Sequence, residues 1–222
     1  MMRGIVFIGG AGPGAELSGS LVCGADLIVA ADSGLIAAEN AGVRPHWILG
    51  DMDSLGDPRR LDRYAPERVL RHPPDKDDTD TELALRFLWD QGCDETWIIG
   101  GGGGRLDHLF AIRSLFERQP CPDRWLTAED DIRCVSGEAS FEALPDRMVS
   151  VFPLGEGPWE AKSRGLRWPL EGLPWSRGFF GISNTAPGGS FSIKAEQGRF
   201  MVMLPLPRCW AGSPPASPFD GG

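Results

Sequence analysis

Apolar residues in the first part of the chain fall in short runs, each ending at a glycine or an aspartate. Residues 4–8 predict a strand that enters the glycine-rich loop 9–14. Residues 27–31 predict a second strand, ending at Asp32, and a helix over 34–41 is stopped by Gly42 and Pro45. Residues 47–49 predict a strand running into Gly50 and Asp51, and residues 96–99 one running into the glycines 100–104. Before that last strand, a helix opens at Thr79 and Glu82, continues through Leu83, Ala84, Phe87 and Leu88, and stops at Gly92. The order predicts an α/β N-terminal domain, a mainly parallel sheet with helices on both faces. Ligands in such folds bind beyond the carboxyl ends of the strands, where Asp32, Asp51 and the glycine run all fall.

After about Cys134 the helical period fades. Pieces at 148–152, 191–195 and 200–204, separated by Gly, Pro and Ser, predict half-buried strands of a small all-β sandwich or barrel. The change of texture divides the chain into 1–138, 139–210 and a low-complexity tail, 211–222.

Net charge changes the picture by exclusion. At −9, with no basic stripe, the chain offers no nucleic-acid surface, although bound metal can still bring in an anionic nucleotide. The five cysteines form no CxxC pair, which points to thiols in a reducing compartment rather than to zinc or a disulfide framework. No apolar stretch is long enough to span a membrane and the start reads as a core strand, so a cytoplasmic protein is expected.

The acids carry the chemistry. Asp77, Asp78, Asp80 and Glu82 crowd one predicted helix start beside Lys76. Capping and the helix dipole account for one or two such groups, but a helix N-terminus also attracts phosphate, and carboxylates beside it can hold the accompanying metal. Asp51 and Asp53, two apart on an extended chain, would face one cation. Glycines 100–104 would let backbone N–H groups approach phosphate, with Arg105 as a clamp and Asp107 and His108 opening the next helix. The loop at Gly10, Gly12 and Ala15, with Asp32 ending the next strand, also fits a dinucleotide fingerprint, which keeps a nicotinamide-dependent oxidoreductase open as an alternative. A non-catalytic nucleotide-binding protein is a second alternative.

Five segments in order resemble the thiamine pyrophosphokinase family. They are Ala31-Asp32-Ser33-Gly34, Gly50-Asp51-Met52-Asp53-Ser54, Lys76-Asp77-Asp78-Thr79-Asp80-Thr81-Glu82, Gly103-Gly104-Arg105-Leu106-Asp107-His108, and Gly165-Leu166-Arg167-Trp168-Pro169-Leu170 with Gly181-Ile182-Ser183-Asn184. The resemblance implies diphosphate transfer from ATP to the hydroxyethyl group of thiamine, giving thiamine diphosphate and AMP. It also implies a catalytic α/β domain, a thiamine-binding β-sandwich, and a homodimer with its site near the interface. By the match, Asp51, Asp53 and Asp80 would hold Mg2+, and Asp32 would line the nucleotide side. Asp77 and Thr79 would contact phosphate or metal-bound water, Lys76 and Arg105 would steady the ATP phosphates, and Asp107 would join the nucleotide site. Asp80 is the candidate general base, Ser183 and Asn184 the thiamine-site candidates, and Trp159, Trp168 and Trp175 candidates for stacking on the thiamine rings. The chain departs from the family at Ser33 and Leu35-Ile36 after the first aspartate, and at Thr185-Ala186-Pro187 after Asn184.

Overall fold

The computed structural model describes residues 1–73 and 77–206. The sequence stretch 74–76, including Lys76, and the tail 211–222 lie outside the described residues. Along the first part run β1 (Arg3–Phe7), α1 (Ala15–Leu21), β2 (Leu27–Ala31), α2 (Gly34–Asn40), β3 (Trp47–Gly50), β4 (Val69–Arg71), α3 (Asp80–Asp90), β5 (Glu95–Ile99), α4 (Leu106–Leu115) and β6 (Arg124–Leu126). Then follow β7 (Asp130–Val135), β8 (Glu138–Glu142), β9 (Met148–Leu154), β10 (Glu160–Arg164), β11 (Gly181–Thr185), β12 (Ser190–Gln197) and β13 (Arg199–Pro205).

Side chains alternate between the two faces of a strand, and the core follows that period. Ile5 and Phe7 point to one face with Ile28, Trp97 and Ile99, covered by Leu17, Leu21, Ala37 and Ala38 of α1 and α2. Val6 and Ile8 point to the other with Val29, Leu49 and Ile98, covered by Leu85 and Leu88 of α3 and Ile112 and Leu115 of α4. Helices therefore lie on both faces of the parallel strands. Between β3 and β4 three short 3-10 turns replace a crossover helix, starting at Asp53, Pro58 and Pro66, and they bury Leu55 and Leu61 against Leu35 and Ile48. α1 is short and contains Gly19, which explains its faint helical signal.

The strand order is β11-β9-β13-β7-β6-β5-β1-β2-β3-β4 in one ten-stranded sheet, with β10-β12-β8 in a second, three-stranded one. From β4 to β6 all pairings are parallel; from β6 to β11 all are antiparallel. The antiparallel half packs on the small sheet over Val135, Val149, Val151, Phe191, Ile193, Phe200 and Val202, with Phe141 and Phe191 stacked 4.8 Å apart. The β-rich region is thus two facing sheets, and one of them continues the parallel sheet. Residue 138 is the first residue of β8, yet β7 before it pairs with β13 after it, so the large sheet runs through that point unbroken.

A buried carboxylate holds the join between the two halves. Asp131 on β7 is 5% exposed and accepts from Nε and Nη2 of Arg124, both at 2.8 Å, and from Nη2 of Arg133 at 2.8 Å. Burial disfavours its charge, but the two guanidinium groups outweigh that and hold its pKa below the ordinary value. Asp131→Ala is expected to destabilise the fold by about 3 kcal/mol at neutral pH, because it leaves two arginines facing each other without their anion. A depressed folded pKa gives stability that is complete above about 3.9 and fades as pH falls through the lower folded value. The variant's stability should therefore fall less steeply on acidification; urea melts at neutral and acid pH measure both effects.

Candidate active site

The chain leaves β1 toward β2, β3 and β4, then returns to β5 on the other side of β1, so the sheet reverses direction between β1 and β5. Two glycine loops meet at that point. Ala11 and Gly102 exchange backbone hydrogen bonds, at 2.6 and 2.9 Å, and Gly101 donates to the Gly9 carbonyl at 2.8 Å. Gly100 donates to Leu126. The N–H groups of Gly100, Gly101 and Gly102 are thus spent on neighbouring loops and strands, which corrects the reading of the whole glycine run as a phosphate cradle. Glycine is required at position 100, where φ is +114° and a Cβ would stand 2.4 Å from the Ile8 carbonyl oxygen.

Next to these loops the acids converge. Asp32 follows β2, Asp51 follows β3 and Asp80 begins α3, which packs on both strands. One carboxylate oxygen from each lies within 4.8 Å of the others, the metal-ligating group found among the described residues. Asp32 takes the unusual φ of +48°, its N–H bonds the Leu49 carbonyl at 2.8 Å, and Ser54 donates to its Oδ2. Its Oδ1 is buried with no hydrogen-bond partner, which costs free energy unless a cation or donor occupies the space before it. Gly50 makes room for the gathering: at φ +140°, a Cβ there would lie 3.2 Å from both Asp32 Cβ and Asp80 Oδ1. An all-carboxylate oxygen set of this kind suits a hard divalent cation such as Mg2+.

Asp53 is not one of the three. Met52 turns the backbone into the left-handed region at φ +69° and buries its own side chain, so the extended-chain rule placing Asp51 and Asp53 on one side does not apply. The Asp53 N–H bonds Asp51 Oδ1 at 3.0 Å while its carboxyl stays exposed beside the cluster. A hydrogen bond to Asp51 and that residue's charge, followed by those of Asp32 and Asp80, raise its pKa.

The acidic stretch before α3 separates by role. Thr79 and Glu82 form the expected capping box, with Glu82 N–H to Thr79 Oγ1 at 3.2 Å and Thr79 N–H to Glu82 Oε2 at 3.1 Å. The Thr79 hydroxyl is therefore engaged in the cap. Asp78 pairs with Arg86 at 2.9 Å, and Asp77 is exposed. Arg105, preceding α4, is paired with Asp107 through Nε at 3.1 Å, both side chains exposed. That pairing lowers the Asp107 pKa.

Ser183 and Asn184 lie elsewhere, on β11 at the far edge of the large sheet. Seven strand spacings separate β11 from β2, about 34 Å at ~4.8 Å each. Asn184 is buried, and its amide clamps the 168 backbone: Oδ1 accepts from Trp168 N–H at 3.1 Å, and Nδ2 donates to the Trp168 carbonyl at 2.6 Å. Ser183 is exposed, at φ +61°. Of the three candidate tryptophans, Trp159 and Trp175 pack against the sandwich core, whereas Trp168 is 52% exposed. A cavity of about 460 Å³ opens beside the start of β11, between Phe152, Phe179, Phe180 and Trp159.

The catalytic-domain model of the family described as "Thiamin pyrophosphokinase, catalytic domain" matches residues 19–121, which include Asp32, Asp51, Asp80 and Arg105. Thiamine pyrophosphokinase of Bacillus subtilis (strain 168) is 29% identical over 151 residues, 65% of this chain and 70% of that protein. Crystal structures of thiamine pyrophosphokinases superpose over nearly the whole chain. That from Geobacillus thermodenitrificans has a TM-score of 0.72 at 25% identity, covering 95% of this chain and 100% of its own. That from Bacillus subtilis has a TM-score of 0.75 at 25% identity, covering 93% and 100%. Residues 19–121 thus carry the catalytic-domain signature of thiamine pyrophosphokinases, and nearly the whole chain is similar to them in fold. This likeness, which names no nicotinamide enzyme, counts against the nicotinamide reading. Asp32, which would have held a ribose hydroxyl, instead turns into the carboxylate cluster. No helix among the described residues is long and apolar enough to cross a membrane.

Proposed function

We propose that the protein transfers the terminal diphosphate of ATP to the hydroxyethyl oxygen of thiamine, releasing AMP. The observation that carries this reading is the convergence of Asp32, Asp51 and Asp80 at the strand ends, inside the segment matched by the family model. These three would hold Mg2+, which when bound offsets the charge on the phosphate oxygens. Arg105 exchanges Asp107 for phosphate oxygens, and the exposed end of the glycine run, Gly103 and Gly104, leaves the polyphosphate room beside α4. Asp77, exposed ahead of α3, is a further candidate for phosphate contact, as is Lys76, which lies outside the described residues. The thiamine oxygen attacks the β-phosphorus as the bond to the α-phosphate oxygen breaks, and the hydroxyl proton passes to a carboxylate. Asp80 belongs to the cation-holding trio, so that proton is better received by Asp53, which flanks the trio without belonging to it.

Reacting atoms must come within about 3–3.5 Å of each other. A β11 edge about 34 Å from Asp32 does not serve the same chain's acids. The reading therefore includes a homodimer in which Ser183, the exposed Trp168 and the segment clamped by Asn184 complete the partner's acidic site. An aromatic face suits the thiazolium cation. Residues 1–138 then carry ATP and residues 139–210 carry thiamine. Free thiols at Cys23, Cys93, Cys121 and Cys134 accord with a cytoplasmic enzyme.

The test is turnover with thiamine, ATP and magnesium, identifying both products by mass. AMP and thiamine diphosphate are expected in equal amounts. ADP with thiamine monophosphate would defeat the diphosphate transfer, and binding without turnover would favour a non-catalytic protein.

A further inference from the structure

Away from the acidic cluster, two thiols meet. Cys121, in the loop after α4, and Cys134, on β7, bring their Sγ atoms to 3.6 Å. The Cys134 N–H donates to the Asp123 carbonyl at 2.9 Å, so backbone holds the two segments side by side. Arg199, opening β13, places Nη1 2.8 Å from Cys121 Sγ and 3.9 Å from Cys134 Sγ, while its Nη2 donates to the carbonyls of Glu117 at 3.4 Å and Arg118 at 3.2 Å. Both cysteines are half-buried. The diphosphate chemistry uses neither.

We propose that Cys121 and Cys134 form an oxidisable dithiol, a modification site that a small peroxide closes to an intramolecular disulfide. Disulfide sulfurs lie about 2.05 Å apart, so closure needs an approach of about 1.5 Å, within reach of small side-chain rotations. The guanidinium supplies what reactivity requires, a positive charge against sulfur. The hydrogen bond between the two thiols splits the pair: with the charge of Arg199 it holds the Cys134 pKa below the ordinary thiol value and pushes that of Cys121 above it, whereas burial pushes that of Cys93 up. The Cys134 thiolate attacks one peroxide oxygen: the S–O bond forms, the O–O bond breaks, and hydroxide leaves to become water on taking a proton. The Cys121 sulfur then attacks the sulfenic sulfur, the S–S bond forms, and the S–O bond breaks to release a second water. Two thiols and one peroxide give one disulfide and two waters, and a dithiol reductant reverses the change.

The experiment treats the full chain with equimolar hydrogen peroxide, alkylates remaining thiols, and maps peptides by mass without reduction. One cross-linked species joining Cys121 to Cys134 is expected, about 2 Da lighter than its reduced parts and released by dithiothreitol. It should vanish in Cys121→Ser and Cys134→Ser and persist in Cys23→Ser. Arg199→Gln should form it about tenfold more slowly, and Arg199→Lys at nearly the parent rate. Cross-links through Cys23 or Cys209, or sulfinic acid at Cys134 without a cross-link, would overturn the proposal. Should a serine variant misfold, the peptide map of the parent chain still decides.

Discussion

Asp51→Asn is expected to lower kcat for thiamine diphosphate formation about 10³-fold, the scale seen when a preorganised charge-stabilising contact is removed. The substitution keeps shape, and an asparagine oxygen can still accept the Asp53 N–H that Asp51 Oδ1 accepts at 3.0 Å. Local folding should therefore survive, with a melting temperature close to the parent's. What is lost is one anion of the trio with Asp32 and Asp80, hence charge that, on the proposed function, would draw a divalent cation to the strand ends. Magnesium titration should show a weaker apparent affinity, and saturating metal should recover only part of the rate. A variant within about fivefold of the parent at ordinary magnesium would remove Asp51 from the chemistry.

Mixing two inactive variants is expected to restore activity. Ser183→Arg puts a bulky cation on an exposed position at the β11 edge, where it would repel a thiazolium, and should lower kcat/KM for thiamine about 100-fold. ATP binding should be unchanged, because the acids of that chain lie seven strands away. If each site takes its acids from one chain and its β11 edge from the other, then half of randomly paired dimers join one Asp51→Asn chain to one Ser183→Arg chain. Each such dimer has one site with both defects and one with neither, so co-refolded mixtures should reach about a quarter of parent activity. Activity equal to the mean of the two variants would mean that each chain builds its own site, and the role of Ser183 would fall with it.

The local rules written in the chain proved dependable where a single element sufficed. β2 covers the predicted residues 27–31, and the start of α3 carries the capping box read from Thr79 and Glu82. Both depend on neighbours within four residues. The arrival of aspartates and glycines at strand ends was equally legible, because a parallel sheet fixes which end of every strand faces the ligand.

Other features depend on groups distant along the chain. Asp32 and Asp51 share a site because β2 pairs with β3, and Asp80 joins them because α3 lies across both. Asp53, two residues from Asp51, drops out of the trio because buried Met52 turns the backbone between them. Asn184 looked like a ligand contact and is a clamp on Trp168, sixteen residues away. Glycines 100–102 looked free to bind phosphate and are bonded to the loop after β1 and to β6. Residue types and spacing alone determined that this chain brings carboxylates and glycines to its strand ends. Only the tertiary structure decided which carboxylates meet and which N–H groups remain open, because non-local pairing and the competition for buried hydrogen bonds settle both.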